Sequence, residues 1–208
     1  MGFPCKVDPE FHEREPGKRL TIMIMSGSGS FSGLGKNIKQ FLRADPDVDV
    51  HLVNGRDRRK KAEMDRIIRS CDNRKTRVFN HGNLETAEYS KILRECDIVV
   101  SKCGANTITE ALSTGKVVIT TDRLAEQERQ NAIFFGRKVP VFMIDKEHTL
   151  LDIINDNLFD DEFFHDYLQK VSALFPPGVK KAYADFIYGR CCGDTGSPGS
   201  GRRRRSDL

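Results

Sequence analysis

The chain has 208 residues, 38% of them hydrophobic, and a formal net charge of +4, which suits one globular domain with an ordinary core. No run of about 18 apolar residues offers a membrane span, and the amino terminus lacks the apolar stretch of a secretory signal. Six cysteines without CxxC pairs or a matching histidine spacing argue against a disulfide scaffold or a metal module, so the expectation is a soluble cytosolic protein with reduced thiols.

Strands and helices are predicted to alternate. Residues 19–25 (RLTIMIM) read as a strand, Ser26-Gly-Ser-Gly-Ser30 as a flexible turn, and 33–43 as a helix through Leu34, Ile38, Phe41 and Leu42. This turn is neither a P-loop, lacking Gly-Lys-Ser/Thr, nor the strict dinucleotide fingerprint. Val48–Val53 follows as a strand, and 58–70 as a charged helix with Ala62, Met64, Ile67 and Ile68 inward. Next come a strand at 76–79, a helix at 85–94 and a short apolar strand at 97–100. The series continues with a helix at 107–114, the strand Val117–Thr121, a helix opening near Gln127, the strand Val141–Ile144 and a helix at 149–155. Six strands alternating with helices predict a doubly wound, Rossmann-like parallel α/β sheet, whose ligands sit at the carboxyl ends of the strands.

The most informative turn lies at such an end, in Ser101-Lys-Cys-Gly-Ala-Asn-Thr-Ile-Thr-Glu-Ala-Leu112. Gly104 lets the chain reverse and lets a ligand approach, while the amides of Ala105, Asn106 and Thr107 sit at the positive end of a helix dipole and suit an anion. Glu110, one turn further in, can accept two hydrogen bonds from a cis-diol such as a ribose. In the competing reading, Asn106 or Thr107 merely caps the helix and Glu110 closes a capping box. One strand later, Gln127, Glu128 and Asn131 open a helix at the same edge with groups that read sugar hydroxyls; the competing reading is a solvated helix start.

Other polar residues carry plainer expectations. His51 and His81 are lone histidines with a structural role, and Asp160-Asp-Glu162 falls where a helix amino terminus would attract carboxylates. Of the charge run 56–61, only Arg56 is kept as a phosphate candidate, beside turns at Asn54-Gly55 and His81-Gly82-Asn83. Residues 178–188 have a last helical pattern, and 191–208 are Gly, Ser and Pro followed by Arg202-Arg-Arg-Arg205, a composition that predicts disorder. No aromatic platform or recognition motif supports a nucleic-acid partner.

Together, SKCGANTITEAL, GKVVITT and EQERQNA resemble the carboxyl-terminal, donor-binding half of GT-B glycosyltransferases of family 28. These are related to the peptidoglycan N-acetylglucosaminyltransferase and to the diacylglycerol glycosyltransferases, and the resemblance covers about residues 1–175. Leu124-Ala125-Glu126 stands where the family commonly has Pro-Gly, and Lys116 where Leu-Pro is usual. The resemblance implies a UDP-sugar donor, with Ser28, Gly29, Gly104, Ala105, Asn106 and Thr107 at the diphosphate and Glu110 on the ribose. It also implies Gln127, with Glu128 and Asn131, at the sugar, and the uracil read near 84–87. No cofactor or metal is implied. Gly2-Phe-Pro-Cys-Lys-Val-Asp-Pro-Glu-Phe11 resembles the family's interdomain linker, so 1–17 is expected to be linker-like, 18–175 the donor domain, 176–190 a helix and 191–208 a tail.

The expected activity is hexosyl transfer to a lipid or lipid-linked acceptor at a membrane surface. The acceptor site and catalytic base would come from a partner chain, as in the split enzymes that make dolichol-linked chitobiose, or from a missing amino-terminal domain. A UDP-sugar 2-epimerase-like enzyme and a non-catalytic interaction subunit are the alternatives.

Overall fold

The computed structural model describes residues 9–25, 34–71, 75–121, 125–156 and 160–176. The expectations for Ser28 and Gly29, the carboxyl-terminal helix and the arginine tail fall outside them.

Thirteen elements follow in the order β1 (Leu20–Met25), α1 (Leu34–Ala44), β2 (Val48–Val53), α2 (Arg58–Arg69), β3 (Arg77–His81), α3 (Thr86–Glu95), β4 (Ile98–Val100), α4 (Ala105–Ser113), β5 (Val117–Thr121), α5 (Glu126–Gly136), β6 (Val141–Ile144), α6 (Leu150–Asp156) and α7 (Asp161–Ser172). The six strands form one parallel sheet in the order β3-β2-β1-β4-β5-β6, the doubly wound arrangement expected. Its central strands read as unbroken apolar runs because helices cover both faces. Ile22, Val50, Ile98, Val100, Val117 and Ile119 are all fully buried. On one side α1 packs with α2 and α6, and elsewhere α4 packs with α5 and α7.

The chain winds outward from β1 through β2 to β3, then returns through α3 to β4 beside β1. Met25 pairs with Val53 and Val53 with His81, while Ile24 pairs with Val100 and Val100 with Ile119, so the carboxyl ends of the strands line up. The strand order reverses between β1 and β4, the switch point at whose carboxyl ends open α/β sheets hold their ligands in a crevice.

Local chemistry starts the helices. Asp57 caps α2 by accepting from the Arg59 and Lys60 amides, and Asp160 caps α7 by accepting from Phe163 N, so the 160–162 carboxylates serve a helix start as expected. His51 and His81 satisfy each other, with Nδ1 of His51 3.1 Å from Nε2 of His81 and the His51 ring stacked on Phe79. Burial lowers the pKa of both imidazoles below the ordinary histidine value, and for His51 the neighbouring His81 adds to the effect.

Residues 9–17 are docked at the opposite, amino edge of the sheet. Glu10 N donates to Ser113 O at 3.1 Å, its carboxylate meets Arg94 at 2.8 Å, and Gly17 N donates to Asp161 at 3.1 Å.

Candidate functional site

The site grows from the end of β4. Ser101 N still follows the ladder, donating to Ile119 O at 2.9 Å, and then the chain turns. The turn differs from expectation in one respect. Gly104 has an ordinary φ of −57°, and a Cβ there would meet nothing within 4 Å among the described residues. The reversal falls instead on Cys103, a fully buried residue with a φ of 54°, in the left-handed region that costs an L-residue about 1–2 kcal/mol.

Two interactions hold that conformation. Cys103 N donates to Ser101 Oγ at 3.3 Å, and Asn131 Nδ2 on α5 donates to Cys103 O at 3.0 Å. Asn131 therefore joins the second polar cluster to the first. Burial pushes the Cys103 thiol up to about 11, so it packs as a neutral side chain. Asn131→Ala is expected to cost about 1 kcal/mol of stability, the net worth of one such bond, measured by urea unfolding.

Helix α4 begins at Ala105, two residues earlier than the cap-like Asn106 and Thr107 suggest. Its first bond joins Ile108 N to Gly104 O at 3.0 Å, so the amides of Ala105, Asn106 and Thr107 precede the ladder. The N-cap residue, Gly104, makes no side-chain cap bond to them among the described residues. The capping box weighed above is not formed: Glu110 instead accepts at Oε2 from the Tyr89 hydroxyl on α3, at 3.2 Å. Three amides at a helix's positive end and a half-buried carboxylate one turn behind them thus lie at the β1/β4 crevice.

In the second cluster Glu128 turns back to accept from Ala125 N at 3.1 Å. Ala125 has no acceptor to return the bond, so α5 carries half a capping box. Gln127 is exposed. Arg56 lines a separate cleft of about 390 Å³ with Gly55, Arg58, Lys61, Gly82 and Asn83, over the ends of β2 and β3, beyond β1 from the α4 turn. Among the described residues no cluster of three His, Cys, Asp or Glu side chains could hold a metal, and no helix is long and apolar enough to cross a membrane.

Tyr89 is the partner of Glu110 that the sequence reading missed. The signal was there: Tyr89 precedes the buried Ile92 and Leu93 by three and four residues, which puts all three on one helix face.

The geometry can be set beside known proteins. The family model for the glycosyltransferase family 28 C-terminal domain matches residues 21–173. The processive diacylglycerol beta-glucosyltransferase of Bacillus licheniformis is 26% identical over 168 residues, which cover 79% of this chain and 42% of that protein. The UDP-N-acetylglucosamine--N-acetylmuramyl-(pentapeptide) pyrophosphoryl-undecaprenol N-acetylglucosamine transferase of Alkaliphilus oremlandii is 26% identical over 173 residues, 80% of this chain and 46% of that protein. The chain thus spans less than half the length of either relative. Among solved structures, MurG of Acinetobacter baumannii superposes with a TM-score of 0.65 at 18% identity, over 83% of this chain and 50% of that one, which shows a shared fold. With 21–173 matched, this chain belongs to the glycosyltransferase family 28 C-terminal domain family.

Proposed function

We propose that the chain is the donor-binding half of an inverting glycosyltransferase, which holds a UDP-sugar while a hexosyl group passes to a lipid or lipid-linked acceptor. The observation that carries this reading is the α4 turn, where three amides outside the helix ladder and the Glu110 carboxylate meet at the crevice between β1 and β4. The relatives support it, since by their names they glucosylate diacylglycerol or transfer N-acetylglucosamine to an undecaprenol-linked acceptor.

In a single displacement an acceptor hydroxyl attacks the anomeric carbon as the nucleotide diphosphate leaves with the bonding pair. The groups on this chain suit the leaving side. The Ala105, Asn106 and Thr107 amides and the α4 dipole would stabilise the diphosphate charge as it grows, and Glu110 would hold the ribose. Gln127, at the exposed start of α5, would meet the sugar, and Ser28 and Gly29 would complete the phosphate cradle. The acceptor site and the base that deprotonates the hydroxyl would come from an amino-terminal half, on this polypeptide or on a partner, with the reaction held at a membrane surface.

Calorimetric titration of the chain tests the reading. UDP is expected to bind and UMP to bind more weakly, because the α4 amides act on the second phosphate. Equal affinity for the two would overturn the diphosphate assignment, and no heat with either would leave the interaction-subunit alternative.

A further inference from the structure

We propose that Tyr89 is a positioning residue for donor binding, its hydroxyl fixing the Glu110 carboxylate in the rotamer that accepts the ribose diol. This rests on the donor-binding reading above.

The two residues come from different helices. Tyr89 lies on α3, anchored by the buried Ile92 and Leu93 on its own face, and Glu110 lies on α4. They meet over the end of β1, where the Tyr89 hydroxyl is 3.2 Å from Glu110 Oε2 and 4.0 Å from Sδ of Met25, the last residue of that strand. A free glutamate samples several rotamers, and a diol needs one in which a carboxylate oxygen faces both of its hydroxyls. The Tyr89 bond selects one rotamer before the ligand arrives, so less side-chain freedom is lost on binding.

One donor on Oε2 leaves Oε1 and a further lone pair of Oε2 for the hydroxyls. The donor is also dependable: burial first, then the Glu110 charge, drives the phenol well above its ordinary pKa, so it stays protonated throughout the working pH range. A packing role alone would need the ring and not the oxygen.

The test is a double-mutant cycle on the full chain, titrated with UDP and with 2′-deoxy-UDP. Tyr89→Phe removes one oxygen and keeps the ring, so the fold should persist. It is expected to weaken UDP roughly 2- to 10-fold, the effect of one hydrogen bond, while changing 2′-deoxy-UDP less. The variant carrying both Tyr89→Phe and Glu110→Ala is expected to bind UDP no more weakly than Glu110→Ala alone, because Tyr89 acts through Glu110. Three results would overturn the proposal: unchanged UDP affinity in Tyr89→Phe, equal weakening of both nucleotides, or losses that multiply in the double variant. If the unmutated chain fails to bind UDP, the donor-binding reading falls and takes this one with it. If it binds UDP and needs Glu110 but ignores the Tyr89 oxygen, only the positioning role is lost.

Discussion

Asp97→Ala is expected to remove about 3 kcal/mol of folding stability, by the mechanism of breaking one partner out of a buried charge cluster. Asp97 sits just before β4 at the amino edge of the sheet, with its side chain 7% exposed. Its Oδ2 accepts from Thr21 N at 2.8 Å, and its Oδ1 is 3.5 Å from Arg14 and 4.0 Å from Lys18. Burial raises the pKa of the carboxyl, and the Thr21 amide with Lys18, Arg14 and Lys116 works against that rise.

Without Asp97, the Arg14 side chain, 10% exposed, keeps Asp161 as its carboxylate partner among the described residues, and the Thr21 amide loses its acceptor. The remaining Asp161 pair and the cation–π contact of Arg14 on Phe164, 5.2 Å from the ring centroid, set the cost at the lower end of the range for a broken buried pair. For a chain of this length, the midpoint of thermal unfolding should fall by roughly 6–12 °C. Asp97→Asn keeps an acceptor for Thr21 but not the charge, so its loss should be smaller. Equal loss in both would show that the charge accounts for the whole effect and that the acceptor for Thr21 contributes nothing.

Chain order and strand identity were legible because apolar runs and glycine turns report them directly. Val48–Val53, Val117–Thr121 and Val141–Ile144 begin and end where the sequence places them. The third strand runs two residues past its apolar stretch, to His81, because β3 is an edge strand whose Asn80 and His81 find partners in Asp65, Asn54 and His51. The α4 start was misplaced for a related reason. Asn106 and Thr107 have the chemistry of caps, yet the tertiary bond from Asn131 and the Ser101 hydroxyl hold Cys103 in a conformation that lets the helix begin at Ala105.

Contacts between elements far apart in sequence were the part that could not be read. Spacing from Ile92 and Leu93 puts Tyr89 on the inward face of α3, but only the β1/β4 crossing brings α3 and α4 together over Met25 and sets Tyr89 against Glu110. The same holds for Asp97 with Arg14 and for Asn131 with Cys103. Side chains whose partners lie on another element leave no periodicity behind.

Glu110→Ala carries the second large expectation, a loss of about 1–3 kcal/mol in UDP binding, or roughly 5- to 150-fold in Kd. The carboxylate is half-buried and carries one protein donor, so its removal takes charge-assisted acceptors from the ribose while leaving the α4 amides in place. The loss should therefore fall on the nucleoside and not on the phosphates. Inorganic pyrophosphate, which has no diol, is the comparison that separates the two: its affinity should be the same in Glu110→Ala and in the unmutated chain. Relief of repulsion between Glu110 and the diphosphate would act the other way and strengthen pyrophosphate in the variant. That outcome would mean the carboxylate faces the phosphates, and the ribose assignment would have to be given up.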